Sequence, residues 1–126
     1  MILVDSTNYI SWMRQGKNPV RILAPYVRSG EIVSCGIIRI EVLRGLIKPR
    51  VKTEIGLLLD TIREIALTRD LLAEVAEQAS SLDRTGRILP ITDLMIAACA
   101  RRADATVITE DPHFEQIPGL RTAKML

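Results

Sequence analysis

Short β-prone runs alternate with helix-length segments along the whole chain, and this alternation restricts the fold more than any other feature. Ile2-Leu3-Val4 stops at Asp5-Ser6-Thr7-Asn8, residues able to cap a helix over Tyr9 to Met13. Pro19 suits the opening of a second helix through Val27, Gly30 ends it, and Glu31 to Ser34 reads as the second strand. After Cys35-Gly36 a helix reaches Leu43 or Arg44, with Gly45 near its C-terminus; another spans Thr53 to Ile62, with Ile55, Leu58, Leu59 and Ile62 on one side. Glu64 to Leu67 is the third candidate strand. Leu71, Leu72, Val75, Ala76 and Ala79 make the apolar stripe of a helix that Thr85-Gly86-Arg87 breaks. A small-residue helix follows from Leu94 to Ala103, then strands at Ala105 to Thr109 and Leu120 to Ala123. The pattern predicts an α/β fold, a three-layer sandwich with a mostly parallel central sheet whose ligand sites gather beyond the strands' carboxyl ends.

At 126 residues and 48% hydrophobic content, one domain over residues 1–126 with a single core is expected. Aromatic residues are only 3%, so the core is aliphatic and base stacking is not the expected basis of any nucleic-acid recognition. A formal charge of +2 is compatible with a polyanionic partner but far from that of a dedicated basic tail. Cys35 and Cys99 lie in apolar stretches without CxxC spacing and read as two buried thiols, pointing to a reducing compartment. Met1 to Val4 lacks the cationic start and long hydrophobic region of a signal peptide, and no segment is long enough to span a membrane. A cytoplasmic protein is the expectation.

Four acids stand out by position. Asp5 ends the first strand, Asp93 opens the late helix, Asp111 follows the fourth strand, and Glu41 shares a helix face with Ile37 and Ile38. In a parallel α/β fold strand ends and helix starts share one edge of the sheet, so these acids can converge. Converging carboxylates repel by roughly 4 kcal/mol for a pair about 4 Å apart at an effective dielectric near 20, unless protons or cations intervene. All-carboxylate ligation suits Mg²⁺ or Mn²⁺ better than zinc, and such ions activate water and steady phosphoryl charge. Taken singly, each acid has another reading. Asp5 can cap a helix, Asp93 can complement a helix dipole, Asp111 before Pro112 can serve an ordinary turn, and Glu41 can pair with Arg39 or Arg44.

The opening Ile-Leu-Val-Asp5-Ser-Thr-Asn, the Arg-Ile-Glu41-Val-Leu-Arg-Gly segment, the Pro-Ile-Thr-Asp93-Leu-Met-Ile-Ala-Ala run, and Val-Ile-Thr109-Glu-Asp111-Pro-His-Phe followed by Ile-Pro-Gly-Leu resemble successive motifs of the PIN-domain family. The resemblance spans nearly the whole chain. It implies an endoribonuclease dependent on Mg²⁺ or Mn²⁺, with Asp5 and Asp93 as principal metal ligands and Glu41 and Asp111 completing the pocket. Ser6 and Thr109 correspond to hydroxyls that donate to the carboxylates. Two departures are Cys35-Gly36, where many relatives carry more hydroxyls, and Glu110, an extra acid beside Asp111 able to substitute or assist. For His113 packing or hydrogen bonding is expected, with no catalytic role.

The short chain, without an appended RNA-binding module, resembles the family's VapC-type toxins, which implies an RNA substrate, a small antitoxin partner and a homodimer. Ile10, Trp12, Met13 and Leu57 could serve a partner contact or the core, and the core is preferred for each. Arg14, Lys17, Arg44, Lys48, Arg50 and Lys52 are candidates for phosphate contact. A non-catalytic PIN-like module binding RNA or protein would be expected to lack a principal acid, and all four are present. A phosphoacceptor receiver domain shares the small parallel α/β pattern, but the chain has neither paired acids early nor a suitably placed late lysine.

Overall fold

In the computed structural model, which describes residues 1–126, β1 (Ile2–Val4) leads through α1 (Ser6–Arg14) and α2 (Pro19–Ser29) to β2 (Ile32–Ser34). From there α3 (Gly36–Arg44) and α4 (Pro49–Thr61) lead to β3 (Arg63–Glu64), and α5 (Arg69–Arg84) and α6 (Ile91–Arg102) to β4 (Thr106–Ile108). A 3-10 turn (Pro112–Gln116) and β5 (Thr122–Ala123) follow. The sheet order is β3-β2-β1-β4-β5, and every pairing is parallel. The α/β sandwich expected from the alternation is therefore the fold.

β1 is the central strand and the point where the chain changes direction. It pairs with β2 through Ile2–Ile32 and Leu3–Val33, and with β4 through Leu3–Val107 and Val4–Ile108. The path runs outward from β1 to β3, then returns to β1's other side, which opens a crevice at the carboxyl ends of β1 and β4. Leu3 and Val4, Ile32 and Val33, and Val107 and Ile108 are all buried. Neighbours in a strand point to opposite faces, so helices must cover both faces of the sheet.

The core is aliphatic as expected, with Tyr9 and Phe114 its largest fully buried side chains. Cys35 and Cys99 are both buried and free. No helix is long and apolar enough to cross a membrane. Trp12 and Met13 pack against the core, Trp12 edge-on to Tyr9 with ring centroids 5.9 Å apart.

Several local expectations change. α1 begins at Ser6 and α4 at Pro49, whose missing N–H costs nothing at a helix start, so both helices are longer than the apolar periodicity alone indicates. β3 lies at Arg63–Glu64 and not at Glu64 to Leu67, because Thr68 already caps α5, its hydroxyl accepting from Leu71 N at 3.2 Å. The α5 stripe follows Leu71, Val75 and Leu82, leaving Leu72 and Ala76 exposed; the 3.6-residue period selects the former set. Leu57 is not core: it stands off the buried Ile55–Leu58–Leu59 face of α4 and is 61% exposed. Gly30 ends α2 at φ 71°, a left-handed cap that glycine adopts without strain, whereas Gly45 at φ −83° has no such need.

Asn8 is buried, and its Nδ2 donates to the Lys124 carbonyl at 3.0 Å, tying α1 to the segment after β5. Asn8→Ala is expected to lower unfolding free energy by about 1 kcal/mol, with an unchanged denaturant slope. Urea denaturation of both proteins measures this, and a coincident pair of curves would show that the tether does not stabilise the fold.

Candidate metal centre

Asp5 follows β1 directly and Thr109 follows β4, and the strands stay paired to that point, with Asp5 N–H donating to Ile108 O at 2.9 Å. Asp5 occupies the N-cap position of α1 but makes no side-chain capping bond. Its Oδ2 instead accepts from Thr109 Oγ1 at 2.8 Å and from Thr7 Oγ1 at 2.9 Å. Both hydroxyls are oriented by the loop after β4: Asp111 N–H donates to Thr109 Oγ1 at 2.9 Å, and Glu110 N–H to Thr7 Oγ1 at 3.1 Å. A hydroxyl has one proton to give, and here both protons go to a single carboxylate oxygen.

Asp93 lies in the first turn of α6, whose Ala97, Ala98, Cys99 and Ala100 are all buried and let the helix pack closely. Asp93 is only 7% exposed, yet its Oδ2 has no hydrogen-bond partner. Asp111 caps the 3-10 turn, its Oδ1 accepting from His113 N–H at 2.9 Å. The His113 ring folds back over the same pocket, with Nδ1 3.2 Å from Asp111 Oδ1 and 3.4 Å from Asp93 Oδ2. One donor atom from each of Asp93, Asp111 and His113 lies within 4.8 Å of the other two.

Glu41 reaches the pocket's edge from α3, accepting from Ser6 Oγ at 3.3 Å. Its rival partner Arg39 is engaged elsewhere, with Glu64 at 2.6 Å and Asp60 at 2.9 Å. Arg44 makes no ion pair with Glu41, although its charge partly counters the forces that raise the Glu41 pKa. Glu110, considered as a substitute for Asp111, is exposed and accepts from Ser11 Oγ at 3.3 Å on α1.

Burial and mutual repulsion hold three of these acids above the ordinary carboxylate range. Burial is the main cause for Asp5, opposed by the Thr109 and Thr7 hydroxyls. Glu41 is raised by burial and then by the Asp5 charge. Asp93 is pushed up to about 7 by burial, then by Asp111 and Asp5, with His113 opposing and Glu41 adding to the rise. All four acids therefore act on one another. Such an arrangement suits a bound cation.

Thr7 and His113 are the pocket residues that residue types and motifs did not single out. Thr7 sat unmarked in a cap-like cluster, since only the neighbouring strand reveals its acceptor. His113 was expected to pack or hydrogen-bond, and its backbone N–H does bond Asp111, while its Nδ1 has no hydrogen-bond partner.

A family profile for the PIN domain matches residues 2–120. No curated protein matches the sequence significantly. Among solved structures, the chain is similar to VapBC2 from Rickettsia felis, bound to a DNA fragment from its promoter, at 20% identity and TM-score 0.78, covering 98% of each chain. It also resembles VapBC-1 from nontypeable Haemophilus influenzae, at 23% identity and TM-score 0.74, covering 98% of this chain and 97% of that one. A toxin–antitoxin complex from Klebsiella pneumoniae matches at 22% identity and TM-score 0.67 over 100% of both chains.

The raised Asp93 pKa makes a signed prediction for the metal-free protein. A carboxyl that binds its proton more tightly when folded stabilises the fold at low pH, and this contribution fades as pH rises from its unfolded value near 3.8 through about 7. Stability is expected to fall between pH 5 and 8, and Asp93→Asn to flatten that fall and exceed wild type at pH 8 by at least about 1 kcal/mol. Denaturant unfolding in chelator across this range reads the effect; parallel pH profiles for the two proteins would refute it.

Proposed function

This chain belongs to the PIN-domain family, and from that premise we propose that it is a VapC-type toxin, an endoribonuclease whose Asp5, Glu41, Asp93 and Asp111 hold Mg²⁺ or Mn²⁺. The observation that carries the proposal is the buried Asp93 carboxylate, with an oxygen unpaired among other acids at the sheet's switch point. Oxygen donors of this kind fit hard divalent ions. When bound, such an ion supplies Lewis-acid stabilisation of phosphoryl charge and an acidified water.

The residues divide the remaining work. Thr109 and Thr7 fix Asp5 through Oδ2, which orients its carboxylate for ligation. Asp93 offers its unpaired Oδ2 from α6. Glu41, steadied by Ser6, completes the acidic pocket from α3, where it would hold the ion directly or through a water. Lys17 and Lys48 line one groove beside the α1–α2 and α3–α4 loops, and Arg14 flanks the pocket next to Thr7 and Glu110. These cations would meet the RNA backbone without reading its bases.

A toxin–antitoxin complex is among the solved structures that this chain resembles, and a small antitoxin is the partner that this reading implies. An apolar groove of about 560 Å³ runs between α2 and α4, bordered by Val20 and Leu57. A small antitoxin covering it would bury the exposed Leu57.

Incubation of purified protein with a mixed RNA pool, with Mg²⁺, Mn²⁺ or chelator, tests the activity. Asp5→Asn and Asp93→Asn are expected to lower cleavage at least about a hundredfold, close to 3 kcal/mol of activation free energy, while remaining folded. Wild-type cleavage rates in either variant would reject the assigned centre. Thr109→Val is expected to weaken Mn²⁺ binding about tenfold and Thr109→Ser to restore it, by calorimetry. Equal affinity in Thr109→Val would remove Thr109 from the positioning role.

A further inference from the structure

We infer that His113 is a protein donor to the same cation as Asp93 and Asp111, through Nδ1, and that this nitrogen inclines the centre toward Mn²⁺ over Mg²⁺. The inference rests on the reading that these acids hold a divalent ion.

Two unpaired atoms face each other in the pocket. Asp93 Oδ2 and His113 Nδ1 are both shielded from solvent, neither has a hydrogen-bond partner, and they lie 3.4 Å apart. Asp111 Oδ1 is 3.2 Å from the same nitrogen, also without a hydrogen bond between them. An imidazole N–H turned toward either oxygen would satisfy donor and acceptor together, and the ring is not so turned. With the imidazole neutral, these three atoms are electron-pair donors gathered side by side, an arrangement that a cation resolves.

The spacing agrees with shared ligation. Neighbouring donors on an ion with bonds of about 2.1 Å stand about 3.0 Å apart at right angles and about 3.4 Å apart at the tetrahedral angle. The ring is also held in place from its own backbone. Pro112 opens the turn, His113 N–H is bonded to Asp111 Oδ1, and the fully buried Phe114 anchors the next position. The side chain is 45% exposed, yet its Nδ1 is buried.

The chemical consequence concerns metal choice. An all-oxygen site accommodates Mg²⁺, which binds nitrogen poorly and keeps much of its water. An imidazole donor adds affinity for first-row transition ions.

The chain has a single histidine, so imidazole ¹⁴N coupling to bound Mn²⁺ in tag-free protein identifies its source. Pulsed electron paramagnetic resonance of the Mn²⁺-loaded wild type is expected to show this coupling, and His113→Ala and His113→Asn to lack it. By calorimetry, the ratio of Mn²⁺ to Mg²⁺ affinity is expected to fall about tenfold in both variants. Wild-type protein that binds Mn²⁺ without imidazole coupling, or an affinity ratio unchanged in both variants, overturns the inference. Asp93→Asn separates this from the reading beneath it. If Asp93→Asn abolishes Mn²⁺ binding while the wild type shows no nitrogen coupling, the acidic centre stands and only the role of His113 falls. If Asp93→Asn leaves binding intact, or the wild type binds no Mn²⁺, the centre itself fails.

Discussion

The hydrogen bond from Thr109 to Asp5 joins the ends of β1 and β4, and the arrangement of the pocket depends on it. It forms because two strands far apart in sequence lie side by side, parallel and in register, so the residues that follow Val4 and Ile108 emerge together. The same hydroxyl accepts from Asp111 N–H, which sets the path of the loop carrying Asp111 and His113. Thr7 repeats the device from α1 with Glu110 N–H. One carboxylate is thereby fixed from two elements, and the neighbouring loop is placed against it.

The energetic question is what balances the charge gathered there. A helix N-terminus stabilises a nearby anion by roughly 0.3–1 kcal/mol, and by at most about 2 kcal/mol when partly buried. One pair of carboxylates about 4 Å apart repels by roughly 4 kcal/mol at an effective dielectric near 20. The start of α6 thus cannot by itself support a charged Asp93 among Asp5, Asp111 and Glu41. In the metal-free pocket Asp93 holds its proton more tightly than an ordinary carboxyl does, because of burial and then the Asp111 and Asp5 charges. A divalent ion would replace that proton, coupling metal binding to stability and to pH through the same side chain.

Much of this was legible in the residues, unevenly. The strand–helix alternation led directly to the parallel sheet, because period and chain breaks are local properties. The four acids were nameable because three follow strands or begin helices, and Glu41 because a carboxylate shared a face with isoleucines. Choosing between their functional and local readings was another matter. Asp5 looks like a helix cap until the Thr109 hydroxyl is seen across the sheet, and Glu41 has two arginines in sequence reach although Arg39 is held by Glu64 and Asp60. Leu57 belonged to an apolar segment but not to the face that α4 buries.

From its order of residues alone, this chain determined its class of fold, the places where strands hand over to helices, and the acids standing at those places. Short-range periodicity and turn chemistry are sufficient for that, since each involves residues within a few positions of one another. Tertiary structure decided which of those acids feel each other's charge, which hydroxyls hold them, and that an imidazole turns into their midst. Those outcomes depend on contacts across as many as 104 positions of sequence, as between Thr109 and Asp5, and only the sheet's crossover brings such residues within bonding distance.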